Sequence, residues 1–438
     1  MFASHVPVTF ATSGTGYLGS MGTSAFNSSS SAQPTTERAF ATAIPAEFQI
    51  NGAPDNGIMN LTLPEGQQST INISAAYHVP TTISFSIATF PLGTSLPPWL
   101  SFPSVPSSIS LSEGRIGHTS LIVGVDSSLQ NGEQGLFALR AHYLDPSNSM
   151  SIIQVMVFRV QVNTFRNNMS TSPHTKSLES LDSLSPLTST WTSWALGAGL
   201  CDSSSTSQCQ SNGVSWNQVT AIKTSYTIPN LKTQNATFIT LNGSPASGYL
   251  LQFVVLMQNS NSYWEEQIQL LYPSSPACIV NLAQESSGAS MSIEIGRDSN
   301  GWFAYDYNSL QNYYYSNYCS NVPTSSDFYS QNQEPFAFES YDDNGSDFSL
   351  VYINVNPTFE YLTGGNWVNP ATAEVLNAND AGQWGSYVIG GGFSTPSEFS
   401  EAGNHQCSAI SKYQIYIGYY TQGYLLNCGT STYDTPLW

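Results

Sequence analysis

Three stretches of the chain carry residue types able to do acid–base or carbonyl chemistry. Two are clusters of carboxylates and carboxamides, Trp264-Glu265-Glu266-Gln267-Ile268-Gln269 and Glu334-Pro-Phe-Ala-Phe-Glu339-Ser-Tyr-Asp342, and the third is Gln252 inside the apolar run Leu250-Leu-Gln-Phe-Val-Val. A glutamate can take a proton from water and return it to a leaving group. A carboxamide N–H can hold a developing oxyanion. A glutamate on a strand without a neighbouring Lys or Arg is also what an ordinary solvent-facing residue looks like, and a glutamine among apolar neighbours can be a hydrogen-bonded structural group. On these residues alone both readings stay open.

Other chemistries are poorly served. Beyond residue 190 the single histidine is His405, and its neighbour Cys407 is expected to be bridged to Cys428, which leaves little for a Ser-His-Asp or Cys-His nucleophile. The same shortage of histidine, with no CxxC spacing, argues against zinc, and no metal or cofactor is expected. Ten Lys and Arg against 29 Asp and Glu give a net charge of −19, which opposes binding to nucleic acid phosphates. A chain this poor in basic residues gathers little positive self-repulsion when its carboxylates are protonated, so tolerance of acid is expected.

The elements that must position these residues read as strands. Only 9% of residues are charged while aromatics reach 12%, a folded rather than a disordered composition. Residues 1–40 are Gly/Ser/Thr-rich and read as a flexible arm. From 41 to 163, runs such as Thr82-Ile-Ser-Phe-Ser-Ile and Val155-Met-Val-Phe-Arg-Val-Gln-Val alternate between turn residues, the pattern of an immunoglobulin-like sandwich. Residues 164–190 read as a Ser/Thr-rich linker with a possible short helix at 177–184. Residues 191–438 again show strand patterns, including Ala221–Ile228, Ala236–Leu241, Tyr249–Met257, Tyr263–Leu271 and Tyr413–Tyr420, so a larger antiparallel sandwich is expected. The acidity belongs to this second part: residues 177–438 carry 4 basic and 21 acidic residues, against 6 and 8 before them.

The six cysteines all follow residue 200 and suggest local disulfides, Cys201–Cys209, Cys278–Cys319 and Cys407–Cys428. With sequons at Asn60, Asn72, Asn168 and Asn235 they point to a secreted, glycosylated protein. The start has no basic or apolar leader, so a signal peptide is expected to be missing from this chain, and no apolar stretch is long enough to span a membrane as a helix.

Short pieces of the second part, in order, resemble the glutamic peptidases of the eqolisin type, secreted acid endopeptidases with a concanavalin-like β-sandwich. Thr192-Ser-Trp194-Ala-Leu-Gly is similar to that family's opening Asn-Trp-Gly-Gly, and Thr224-Ser-Tyr-Thr-Ile-Pro229 to its early strand. Phe238-Ile-Thr-Leu-Asn242-Gly243 resembles its Trp-Val-Gly-Ile-Asp-Gly, and the family's spacing to the catalytic Gln lands on Gln252. Tyr263-Trp264-Glu265-Glu266 resembles the next strand's Trp-x-Glu, and Phe336-Ala-Phe-Glu339-Ser-Tyr the strand bearing the catalytic Glu. The family's Trp, Asp and a further Asp are Phe238, Asn242 and Leu256 here.

The resemblance implies that Glu339 activates water as general base and returns the proton, that Gln252 stabilises the oxyanion, and that Trp264, Glu266, Phe238, Asn242 and Trp194 line a groove for a protein or peptide substrate. A proton shared between Glu266 and Glu339 would then set an acidic optimum. Two rivals fit the same residues. One is a jelly-roll glycoside hydrolase using Glu266 and Glu339 as its carboxylate pair. The other is a non-catalytic cell-surface, filament or carbohydrate-binding protein, with Tyr313-Tyr-Tyr-Ser-Asn-Tyr as a contact surface and the 1–40 arm as an assembly strand. The first lobe reads equally as a propeptide or as an accessory module, and activation by cleavage within 164–190 is an expectation of the propeptide reading. The sequence leaves the oligomeric state open.

Overall fold

A computed structural model describes side chains over residues 43–163, 217–328 and 360–368 with short gaps, and the backbone course of further strands between 195 and 435. The arm, the linker with its possible helix, Trp194 and Cys209 lie outside the described residues.

The described chain is β throughout apart from one turn of α-helix, Tyr315–Tyr318, and one of 3-10 helix, Trp216–Gln218. β-branched and aromatic side chains dominate the strand segments, and they pack well on a pleated surface. Among the described residues the strands form four sheets of 5, 14, 6 and 4 strands.

In the first lobe the 5-stranded sheet, with Glu47–Ile50 and Gln68–Ala76 near its centre, packs on one end of the 14-stranded sheet. Its core holds Phe48, Ile73, Phe85, Leu121, Phe137 and Phe158. In the second lobe the 6-stranded sheet, with Val219–Thr227 and Ser290–Asp298, packs on the Ala236–Gly243, Leu250–Gln258 and Trp264–Leu271 strands of the same 14-stranded sheet.

One sheet therefore runs through both lobes. The junction is a parallel pairing of Ile152–Val155 in the Met150–Asn163 strand with Ala277–Val280 in the Ala277–Glu285 strand. Gly57 marks how closely the lobes approach: its φ is +104°, and a Cβ there would lie 2.2 Å from the main-chain oxygen of Leu282. Beside it Asn281 donates to the main-chain oxygen of Asp55 at 3.2 Å.

The disulfide Cys278–Cys319, Cα–Cα 5.8 Å, ties the junction strand to the end of the helical turn. The Tyr-rich run is largely structural. Tyr315 and Tyr318 are buried in the second core, and Tyr313 and Tyr314 are half-buried. The Tyr315 hydroxyl donates to the main-chain oxygen of Gln252 at 2.7 Å.

Candidate functional site

The central strands of the second lobe are buried on both faces. Every residue of Ala236–Gly243, Leu250–Gln258 and Trp264–Leu271 is buried. Alternation sorts these residues into two sites.

On the face turned away from the 6-stranded sheet stand Phe238, Thr240 and Asn242, then Gln252, Val254, Leu256 and Gln258, then Glu265, Gln267 and Gln269. Register confirms the grouping, since Asn242 pairs with Gln252 and Gln252 with Gln269, while Phe238 pairs with Leu256 and Leu256 with Glu265. Gln252 Nε2 donates to Asn242 Oδ1 at 2.9 Å. Along one strand, Gln269 Nε2 donates to Gln267 Oε1 at 3.0 Å and Gln267 Nε2 to Glu265 Oε2 at 3.4 Å. Low dielectric strengthens such bonds and makes them necessary, because an unmet carboxamide here would be costly.

This face is covered by the chain's own residues 43–46, which precede the Glu47–Ile50 strand. Ala43 N–H donates to Gln269 Oε1 and Gln269 Nε2 donates back to the Ala43 main-chain oxygen, both at 3.0 Å. Gln258 Nε2 donates to the Pro45 main-chain oxygen at 3.3 Å. Ile44 packs with Ala236, Phe238, Val254 and Leu256. From the other side Tyr77 donates its hydroxyl to the Ile44 main-chain oxygen, and Ala46 N–H donates to the Tyr143 hydroxyl.

Glu339 lies in the Phe336–Tyr341 strand, opposite Phe238. Gln252 is opposite Asn242, four residues further along the same intervening strand. Four residues at about 3.3 Å and two strand spacings at about 4.8 Å put the two Cα positions roughly 16 Å apart. The Glu339 and Gln252 backbones are thus two strands apart and four residues out of step.

Trp264 and Glu266 do not line this face, contrary to the groove that the sequence suggested. Glu266 pairs with Val255, and with Trp264 and Ile268 it turns into the core between the sheets. The one-residue parity of a strand decides this: Glu265 faces the carboxamides, and Glu266 faces inward. Trp264 is fully buried and donates Nε1–H to Ser287 Oγ at 3.3 Å.

Glu266 is the second site. It is 0% exposed and neither carboxyl oxygen has a hydrogen-bond partner among the described residues. Burial pushes its carboxyl up to about 8, helped by the nearby charges of Asp306 and Glu285. Glu265 is likewise pushed up to about 8 by burial and by Glu47 and Asp55, and Asp55 by burial to about 8. Burial thus favours the neutral acid form of Glu266 in the interior.

Sequence reasoning singled out Gln252 and the cluster that holds Gln267 and Gln269, but it did not join them to Gln258 as one set. The signal available was their parity: all three fall on the face of Gln252 once the strands are paired. Among the described residues no group of three or more His, Cys, Asp and Glu is placed to hold a metal ion, and no helix is long and apolar enough to cross a membrane. Cys201, Cys407 and Cys428 lie on strands of which only the backbone is described, so the pairings suggested for them fall outside the described side chains.

No family model matches the chain, and no curated protein matches it. Among solved structures, scytalido-glutamic peptidase bound to a transition-state-analogue inhibitor is similar at 12% identity and a TM-score of 0.25, over 40% of this chain and 83% of the peptidase. The YadV chaperone is similar at 9% identity and a TM-score of 0.20, over 59% of this chain and 98% of the chaperone. The CsuC–CsuE chaperone–tip adhesion subunit complex of Acinetobacter baumannii pili is similar at 9% identity and a TM-score of 0.19, covering 59% of this chain and 97% of that one. The resemblance to the glutamic-peptidase fold is weak and partial, and the architecture is all-β with several packed sheets.

Proposed function

We propose that this is a non-catalytic protein of the cell surface or of an extracellular filament, in which a peptidase-like sandwich holds a peptide segment instead of cleaving one. The observation that carries this reading is the filled face. One N–H of Gln252 is spent on Asn242, Glu339 is two strands away and four residues out of step, and residues 43–46 lie over the sheet. General-base and oxyanion roles require both groups within hydrogen-bond reach of one carbonyl.

In this reading residues 41–163 are a structural lobe, and residues 191–438 the lobe that bears the face. The disulfide Cys278–Cys319 supports an oxidising, extracytoplasmic setting. The neutral buried carboxyls suit an acidic one.

The peptidase reading has one observation in its favour, that the strands bearing Glu339 and Gln252 both pair with Ala236–Gly243. Incubation with a denatured protein substrate across about pH 2 to pH 7, alongside Glu339→Gln and Gln252→Ala, tests both readings. No cleavage by any of the three proteins is expected. Acid cleavage by the unaltered chain that both substitutions abolish would establish the peptidase and overturn the proposal.

A further inference from the structure

The carboxamide face treats residues 43–46 as a ligand. Ala43 offers both its N–H and its main-chain oxygen to the same carboxamide, Gln269. That is how one side of an extended residue meets a neighbouring strand. Contacts then follow the Leu250–Gln258 strand in order, with Ala43 at Gln269 opposite Gln252, Ile44 between Val254 and Leu256, and Pro45 at Gln258. Two carboxamides thus read the main chain at alternate residues, and an apolar pocket between them takes one branched side chain.

The fit has one defect. Gln258 gives its N–H to Pro45, but its own Oε1 is buried with no partner among the described residues. At Gln269 the matching oxygen receives the N–H of Ala43. Proline has no N–H to give. The second bond is missing because of the residue that occupies the position, while the site itself supplies the acceptor.

We propose that this face is a binding site for an extended peptide, with a β-branched or otherwise branched apolar residue in the pocket of Ile44 and a residue bearing an N–H where Pro45 now stands. The chain's own Ala43–Ala46 is the resident occupant, and its proline keeps it the weaker one. The inference rests on the reading of the face as one that holds peptide without cleaving it.

The full-length chain carrying Ile44→Asp places a charge in the apolar pocket and expels the resident segment. Two labelled hexapeptides are titrated against it and against the unaltered chain: Ala-Ile-Pro-Ala-Glu-Phe, copied from residues 43–48, and its counterpart with alanine in place of proline. Binding is expected to the Ile44→Asp chain and not to the unaltered one. The alanine peptide is expected to bind about tenfold tighter, the worth of one satisfied buried acceptor. Gln258→Met in the same chain removes that difference, and Gln269→Ala weakens both peptides.

A folded Ile44→Asp chain that binds neither peptide, or binds both equally whatever stands at 258, overturns the site. Binding followed by cleavage, seen by mass spectrometry of the recovered peptide, keeps the site and overturns the non-catalytic reading. Where Ile44→Asp fails to fold, Pro45→Ala in the full chain serves. Its new amide is expected to be protected from hydrogen exchange, and to lose that protection with Gln258→Met. Exchange at the same rate in both would refute the geometry.

Discussion

Replacing Glu266 by Gln should change how stability depends on pH more than it changes stability in acid. In the folded chain burial holds the Glu266 carboxyl protonated up to about 8, against an ordinary value of 4.5. A raised acid binds its proton more tightly when folded, so its contribution is fully present below about pH 4.5 and is lost as pH rises toward about 8. Within that window each such group removes about 1.4 kcal/mol of stability per pH unit. From about pH 4.5 to pH 7 the loss is roughly 3 kcal/mol for one carboxyl, a large share of the ~5–15 kcal/mol that stabilises a typical domain.

Asp55 and Glu265 act in the same direction, although the charge of Asp55 helps to raise Glu265, so the two do not contribute independently. His78 acts oppositely: burial lowers it from 6.5 to about 4, so its contribution is present above 6.5 and is lost as pH falls. Above about pH 6.5 the carboxyls are unopposed, and the decline in stability should be steepest there.

Glutamine keeps the shape and the polarity of Glu266 but cannot ionise. Urea unfolding of the unaltered chain and of Glu266→Gln at several values between about pH 4.5 and pH 7.5 should give lines that diverge. The slope of the variant should be shallower by about 1.4 kcal/mol per pH unit, with a relative gain of roughly 3 kcal/mol by pH 7. Parallel lines would show that Glu266 has the same proton affinity folded and unfolded, and would refute the assignment of a neutral buried acid.

Two further outcomes are expected. Gly57→Ala should destabilise the chain by about 1–3 kcal/mol in the same urea assay, because φ is +104° and the added Cβ meets the Leu282 main-chain oxygen. The loss should fall on the junction of the lobes, read as faster hydrogen exchange across the Ile152–Val155 and Ala277–Val280 pairing. Replacing Cys278 and Cys319 together by serine should remove about 4 kcal/mol, the loop-entropy value for a separation of 41 residues, and lower the thermal midpoint in calorimetry.

Much of the β architecture was legible because period-two alternation and turn residues are local signals. The segments read as Tyr249–Met257 and Tyr263–Leu271 are strands at Leu250–Gln258 and Trp264–Leu271. The Ala277–Glu285 strand was not singled out. Its Pro-rich approach and mixed pattern read weakly alone, and its parallel pairing with Met150–Asn163 joins residues more than a hundred positions apart. Parallel pairing with a distant strand leaves no turn signature between the partners.

By itself the sequence determined the class of fold, the shortage of histidine and basic residues, and the presence of a buried glutamine in an apolar run. Gln252 among Leu, Phe and Val was expected to be hydrogen-bonded, because an unmet carboxamide in a core is costly. Only the tertiary structure decided what those residues face. Parity within a strand is local, but which face is core, which is covered and by what depends on partners far away in sequence. Hence Glu265 lies with the carboxamides while Glu266 is sealed between the sheets. Hence also Gln252 meets Asn242, Glu339 falls four residues out of register with it, and Ala43 reaches across 226 residues to Gln269.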